Sequence, residues 1–305
     1  MIYLESFRLP SLAMEENDDH LKCRVYPYGI FPYKELRNLE FSNITMFYGG
    51  NGSGKSTLLN LIAEKLNLPR ETPFNSSERF NEYVTKMCSY KNSVDEDGHM
   101  IDIPKGSKII TSDDIFNHVI KLRYDNIKIN KQKEAARNTF MDAKFGRVKF
   151  DSFDKYESLK LQNDARQKTM TTFVRERGGS NVKMNSNGES ALSYFDKQFE
   201  SSRLYLLDEP ENSLSPLFQI KLIKLIIECS YYCDCQFIIA THSPFLLSIE
   251  GAKIYDLDSV PATVKNWYDL ENVKIYYEFF KDNENLFLWW KMLLLRSIFV
   301  QTTMF

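Results

Sequence analysis

Apolar positions along the chain fall into short runs set between longer polar stretches. Ile44-Thr45-Met46-Phe47-Tyr48, Lys108-Ile109-Ile110-Thr111, Leu204-Tyr205-Leu206-Leu207, Gln236 to Thr241 and Lys253 to Leu257 are rich in β-branched and aromatic residues and read as buried strands. Between them the period changes to that of a helix. Ser56 to Leu66 places Leu58, Leu59, Ile62, Ala63 and Leu66 on one face, and Glu189 to Glu200 does the same with Ala191, Leu192, Phe195 and Phe199. Ser215-Pro216 opens a further helix, with proline at its first position, that runs to about Cys229. Strands alternating with helices predict an α/β fold with a mainly parallel sheet. Ahead of it, Met1 to Leu9 alternates as an edge strand, Glu15 to His20 forms an acidic turn, Arg24 to Tyr33 is aromatic and proline-containing, and Leu36 to Phe41 leads on. This layout predicts a small N-terminal antiparallel part. Pro69 to Ser77 reads as a loop, Phe80 to Tyr90 as a short helix, and Asn92 to Gly106, with Asp95-Glu96-Asp97, as an exposed loop.

From about Asp113 to Lys183 the pattern changes. Continuous apolar sequence gives way to charges at helical spacing, after an opening Ser112-Asp113-Asp114 suited to a helix N-terminus. Residues 121–183 carry 16 Lys and Arg against 8 Asp and Glu, a net of +8 that leaves −10 on the rest of a chain whose total is −2. This is a basic helical insertion. It is either a solvated arm or a surface for a protein partner or nucleic acid. Its interleaved aromatics, Phe140, Phe145, Phe150, Phe153 and Tyr156, serve such a surface or pack the arm on itself.

At 305 residues, 43% hydrophobic and 26% charged, the chain has the size and composition of a soluble globular protein with a large core. A net charge of −2 gives no overall attraction to nucleic acid or anionic membrane. Five cysteines, Cys23, Cys88, Cys229, Cys233 and Cys235, show no framework spacing and are expected as free thiols in a reducing cytosol. No secretory leader is apparent at the N-terminus.

The chemistry concentrates between the strand at Ile44 and the helix at Ser56. Gly49-Gly50-Asn51-Gly52-Ser53-Gly54-Lys55-Ser56-Thr57 fits the phosphate-loop pattern of Gly, four residues, then Gly-Lys-Ser/Thr. Its glycines let backbone N–H groups converge on a phosphate, and the helix that follows presents the positive end of its dipole. Lys55 is expected to reach the β- and γ-phosphates and Ser56 to hold Mg²⁺. The strand at Leu204 ends in Asp208-Glu209. There Asp208 is suited to hold Mg²⁺ and Glu209 to polarise the attacking water. His242 follows the next strand, within reach of a γ-phosphate. Asn185-Ser186-Asn187-Gly188-Glu189-Ser190 opens a helix whose N-terminus suits a second anion, which points to action in trans on nucleotide held by a partner subunit.

Taken in order, Gly49 to Thr57, Ser186 to Glu189, Leu204 to Glu209, Glu211-Asn212-Ser213-Leu214-Ser215 and Thr241-His242-Ser243 resemble the Walker A, signature, Walker B, D-loop and H-loop elements of ABC-type ATPases. The resemblance covers about residues 1–282 and is to the soluble SMC, Rad50 and RecF branch, in particular small bacterial AAA-family, ABC-like ATPases. It implies a P-loop NTPase fold and a homodimer sandwiching two ATP molecules head to tail. Ser186, Gly188 and Glu189 of one protomer would then face the γ-phosphate held by Lys55 and Ser56 of the other. Asp208 would serve Mg²⁺, Glu209 the water and His242 the γ-phosphate. Two departures stand out. Asn187 occupies the first of the signature's two glycine positions, and Ser112-Asp113-Asp114 stands where the family has the Q-loop glutamine. Tyr28 and Phe31 either stack on adenine or simply pack. An insertion of about 70 residues leaves room only for a short lid, since half of it as helix spans roughly 50 Å.

The expected organisation is therefore 1–111 as the first half of a nucleotide-binding core, 112–184 as the basic arm, 185–283 as the second half, and 284–305 as a hydrophobic tail. That tail, with Lys291 and Arg296 inside it, either packs as a helix, lies at a membrane interface, or is a feature peculiar to this chain. The expected function is that of a cytoplasmic ATPase, hydrolysing ATP to ADP and phosphate, that switches between monomer and dimer and signals to a partner. The alternatives are the ATPase component of a DNA-repair or anti-phage complex that touches nucleic acid, a transporter's nucleotide-binding subunit, and a non-hydrolysing ATP-binding scaffold.

Overall fold

The structure, a computed structural model, describes residues 1–18, 25–146, 156–179, 186–212 and 214–287. Its backbone divides into two compact units, one formed by Met1–Ser112 with the chain from Phe195 onward, the other by Asp113–Tyr194.

The first unit opens with β1 (Leu4–Arg8), α1 (Leu12–Glu16), β2 (Asn38–Glu40), β3 (Ile44–Tyr48), α2 (Lys55–Lys65), α3 (Phe80–Met87), β4 (Ser89–Asn92) and β5 (Lys108–Thr111). The second unit is built on α4 (Ser112–Phe145), α5 (Tyr156–Gln167), α6 (Met170–Gly178) and the start of α7 (Asn187–Gln198). The first unit then resumes with β6 (Leu204–Asp208), α8 (Pro216–Tyr232), β7 (Gln236–Thr241), α9 (Pro244–Leu247), β8 (Lys253–Asp256), β9 (Thr263–Lys265) and α10 (Glu271–Asp282).

Six strands form one sheet in the order β5-β6-β7-β3-β8-β9, parallel throughout except for β9. Parallel strands covered on both faces need apolar residues at every position rather than at alternate ones. β3 and β7 meet that demand, being buried along their whole length. Leu58, Leu59, Leu61 and Ile62 of α2 pack against Phe47, Leu206 and Ala240 of this sheet in one continuous core. Leu4, Phe7 and Leu39 of a second, antiparallel sheet, ordered β2-β1-β4, join the same core. The fold is thus the expected α/β fold, a mainly parallel sheet with an antiparallel part and a helical insertion.

Several local expectations are corrected. The N-terminal strand is not at an edge, because β1 pairs on one side with β2 and on the other with β4. The segment at Glu15 is the end of a short helix, and its carboxylate is fully buried, accepting from Tyr83 Oη at 2.6 Å and Gly29 N at 2.7 Å. The remainder of that predicted turn, Asp19 and His20, lies outside the described residues. Tyr28 and Phe31 are core residues: Phe31 is fully enclosed and Tyr28 meets the edge of Tyr83 at 4.8 Å. The helix predicted over Phe80 to Tyr90 ends at Met87, where the chain turns into β4. Of the cysteines, Cys88, Cys229, Cys233 and Cys235 are free thiols, and Cys23 lies outside the described residues.

A polar residue joins the two sheets. Gln236, with no exposed surface, accepts from Tyr3 N and Leu4 N, both at 2.9 Å, and donates to Leu4 O at 2.9 Å and Ser42 O at 3.2 Å. It replaces the strand ladder that β1 and β7 do not share.

In the second unit, Phe140 and Ala143 of α4 close on Ala165 of α5 and Phe173 of α6, with the two phenylalanine rings 5.3 Å apart and edge-on. Here the interleaved aromatics divide. Phe140 packs the arm on itself, Phe145 and Tyr156 are exposed, and Phe150 and Phe153 lie outside the described residues. Lys183 and residues 288–305, which hold Lys291, Arg296 and most of the predicted tail, also lie outside them. No helix among the described residues is long and apolar enough to cross a membrane.

Candidate functional site

β3 delivers the chain into a turn over Gly49–Gly54, and α2 leaves it at Lys55. Two glycines are sterically required. A Cβ on Gly49 would lie 2.4 Å from Ser53 Oγ, and Gly54, the residue capping α2, has a φ of +96°. The turn folds over its own lysine. Lys55 is buried, and its Nζ donates to Gly49 O at 2.8 Å and Gly50 O at 3.0 Å. Ser53 Oγ is enclosed without a hydrogen-bond partner. Asn51 and Gly52 form the exposed tip, and Thr57 Oγ1 accepts from Tyr26 Oη at 3.1 Å. Asp258, just past β8, accepts from Gly50 N at 2.8 Å.

Because β6 lies one strand away from β3, across β7, its C-terminal end opens beside this turn. Asp208 Oδ1 accepts from Ser56 Oγ at 3.0 Å. Burial pushes the Asp208 carboxyl up to about 6; the Ser56 bond and Lys55 oppose the rise, and the charge of Glu209 adds to it. Glu209 adopts a left-handed φ of +47°, unusual for a residue with a side chain, while its N–H donates to Ala240 O at 2.9 Å. That turn places Glu209 Oε1 3.5 Å from Lys55 Nζ and 3.8 Å from His242 Nδ1, and Oε2 accepts from Asn212 Nδ2 at 2.9 Å.

His242 follows β7 with 45% of its side chain exposed. It lines two clefts. One, of about 370 Å³, is shared with Gly49, Gly50, Asn51 and Asp258. The other, of about 670 Å³, is shared with Glu211, Phe245, Trp267 and Tyr277. Glu211 is 5% exposed, and its Oε1 accepts from Thr241 Oγ1 at 2.6 Å, His242 N at 3.0 Å and Ser243 N at 3.2 Å.

Lys55, Ser56, Asp208, Glu209 and His242 therefore meet within one unit. Ser186, Gly188 and Glu189 belong to the other. There Ser186 N donates to Glu189 Oε2 at 2.9 Å and Glu189 N to Ser186 Oγ at 3.3 Å, a reciprocal capping box at the start of α7 that the Ser-x-x-Glu spacing specifies. Arg123 Nη2 donates to Asn187 Oδ1 at 2.7 Å. Ser213, within the predicted D-loop, lies outside the described residues. Sequence reasoning gave no role to Asp258 or to the Glu211 side chain. Position after Asp208-Glu209-Pro210 was the one signal for Glu211, and Asp258 had none.

The residues present fit a magnesium-bound nucleoside triphosphate. A hydroxyl and a buried carboxylate side by side are hard oxygen donors, and the burial that lifts the Asp208 carboxyl is the kind of cost that a bound cation offsets. The orphaned Ser53 hydroxyl is an unused donor in this turn and suits a close-lying phosphate.

No curated protein matches the chain. Among solved structures, it is similar to the Smc head domain with an extended coiled coil from Pyrococcus furiosus, at 14% identity over 92% of this chain and 100% of that one, with a TM-score of 0.41. It is also similar to the SMC head domain from Thermotoga maritima, at 16% identity over 86% and 98% with a TM-score of 0.41, and to cbiO1 of an ABC transporter complex from Clostridium perfringens, at 16% over 91% and 94% with a TM-score of 0.38. A family model described as "AAA domain, putative AbiEii toxin, Type IV TA system" matches residues 89–248, more than half of the chain. The chain belongs to this family of AAA-type domains.

Proposed function

We propose that the protein binds ATP with Mg²⁺, hydrolyses it to ADP and phosphate, and uses the cycle as a dimerisation switch read by a partner. The observation that carries this is the convergence of Ser56 on Asp208 at 3.0 Å and of Lys55 on Glu209 at 3.5 Å, at the mouth of a glycine turn. The N–H groups of Gly52 to Thr57 and the α2 N-terminus hold the phosphates. Lys55 exchanges the two loop carbonyls for β- and γ-phosphate oxygens. Ser56 and Asp208 would hold a magnesium ion, which would neutralise phosphate charge. Glu209, already fixed by Asn212, takes a proton from the attacking water. His242 meets the γ-phosphate from the exposed side of its ring.

In this reading Ser186, Gly188 and Glu189 act in trans, on nucleotide held by Lys55 of the partner subunit. The α7 N-terminus supplies N–H groups there, and the capping box keeps its first turn formed. Residues 1–111 and 185–283 form the nucleotide core, and the arm at 112–184 carries the nucleotide state to a protein partner.

The test is the solution mass of Glu209→Gln protein with and without Mg-ATP. The amide spares binding and blocks water activation, so a sandwich, once formed, accumulates. A monomer that doubles in mass only with Mg-ATP is the expected result. A mass that ignores bound ATP overturns the switch.

A further inference from the structure

Glu211 holds three successive residues of the turn after β7. Its Oε1 alone takes Thr241 Oγ1, His242 N and Ser243 N. From the other side, Asn272 Nδ2 donates to His242 O at 3.0 Å, and Asn272 N donates to Tyr48 Oη at 3.1 Å. The backbone of His242 is therefore pinned from both sides, and the imidazole keeps only its side-chain torsions. Two polar atoms beside it are left over. Glu211 Oε2 is out of contact with solvent and has no hydrogen-bond partner, and the same is true of His242 Nδ1. Nδ1 lies 3.5 Å from Glu211 Oε1, closer than the 3.8 Å that separates it from Glu209 Oε1. With Nδ1 enclosed and 45% of the side chain exposed, the accessible part of the ring is the edge away from Glu211.

Buried polar groups are rarely left unpaired, and here an unpaired ring nitrogen lies 3.5 Å from a carboxylate that still has one unused oxygen. We infer that Glu211 is the positioning residue for His242: a small turn of the ring lets its carboxylate accept the Nδ1 proton, which fixes the tautomer and turns the Nε2 edge toward the nucleotide. A carboxylate can only accept, so it specifies where the imidazole proton sits as well as where the ring points. The catalytic part of this inference rests on the ATPase reading above. The tautomer does not.

Two experiments test it. The first is the imidazole ¹⁵N spectrum of the nucleotide-free wild-type protein, in which His242 is one of four histidines. His242 is expected as the Nδ1–H form. An Nε2–H form overturns the proposal and needs no variant. The second uses Glu211→Gln. The amide oxygen still accepts from Thr241 and the two N–H groups, so the fold and ATP affinity should persist, but the amide has no second oxygen left to accept the Nδ1 proton, its nitrogen being a donor, and should favour the proton on Nε2. The turnover number is expected to fall about tenfold or more, as for other residues that orient a functional imidazole. In a His242→Ala background the same substitution should have no further effect. An equal loss in that background would make Glu211 a brace of the turn and nothing more. A wild-type protein that binds ATP without turnover would instead overturn the ATPase reading, while the spectrum still decides the tautomer.

Discussion

Asp208 gives the most direct access to the energetics of the site. Its carboxyl is raised from 3.8 to about 6, chiefly by burial, with Ser56 and Lys55 opposing and Glu209 and Glu211 reinforcing. A rise of that size corresponds to about 3 kcal/mol. Between those two values the folded protein retains a proton that the unfolded chain has lost. Stability therefore falls as pH rises from about 4 to about 6 and stays lower above that window. Asparagine at 208 keeps the shape and the acceptor for Ser56 Oγ but carries no charge to bury. Nucleotide-free Asp208→Asn protein should thus be more stable than wild type near pH 7 by about 1–3 kcal/mol. The lower figure allows for the lost attraction to Lys55. For a unit of this size the gain appears as a rise of about 3–8 °C in melting temperature. The gap should close toward about pH 4 and below, where the wild-type carboxyl is protonated in the folded state and increasingly so in the unfolded one. With Mg-ATP the order should reverse, because ligand binding stabilises only the protein that holds it. Calorimetry or fluorescence melts across that pH range, with and without Mg-ATP, supply the measurement. A variant less stable than wild type near pH 7, or a gap independent of pH, refutes the idea that the burial of Asp208 is a cost held in reserve for a cation.

Two further outcomes follow from single residues. Gly49→Ala puts a methyl group 2.4 Å from Ser53 Oγ and 2.7 Å from Ser53 Cβ, so the turn must open. ATP affinity by calorimetry should drop at least about tenfold, a cost of about 1.4 kcal/mol, while the sheet melts near its wild-type temperature. Gln236→Leu fills a similar volume but strips Tyr3 N, Leu4 N and two carbonyls of their partner. Urea unfolding should show a loss of about 3 kcal/mol, and a change below about 0.5 kcal/mol would mean that the antiparallel sheet is held by apolar packing alone.

What could be read from the chain and what could not divide along a physical line. The strands of the parallel sheet were legible because burial on both faces demands unbroken apolar runs, as in Phe237 to Ala240. The turn over Gly49–Gly54 was legible because glycines supply the positive φ that ends a strand tightly and lets a helix start at Lys55. Asp208 and Glu209 were legible from their place at a strand end. The burial of Glu15 and Glu211 was not, and neither was the part that Gln236, at the head of a buried strand, plays between the two sheets. The hydropathy of the two glutamates places them on the surface, and what holds all three residues is a set of partners supplied by distant segments, which no local pattern reveals. The position of β1 failed for a related reason: alternation announces a strand but not how many neighbours it has.

The arm poses the same difficulty with charge. Its sequence announces a basic helical segment, but the ion pairs decide which of its cations are free to meet a partner. Lys168 Nζ lies 2.7 Å from Asp164 and 2.6 Å from Glu176. Arg177 lies 2.9 Å from Asp164, and its guanidinium sits 3.8 Å above the Phe173 ring. Both are part of how the arm packs. Arg166 and Arg175 are exposed and make no ion pair among the described residues. If the arm touches nucleic acid, these two classes must behave differently. Neutralising Arg166 and Arg175 to Gln should weaken binding and lower the slope of log affinity against log salt by about 0.9 for each phosphate no longer neutralised, hence by about 2, with the melting of the arm unchanged. Neutralising Lys168 and Arg177 should loosen the Phe140–Phe173 cluster whether or not nucleic acid is present. Affinity and salt slope that ignore the Arg166 and Arg175 changes, in conditions where wild type binds, would refute a nucleic-acid contact through this pair. Absence of any wild-type binding at low salt would leave the positive charge as a solvated face.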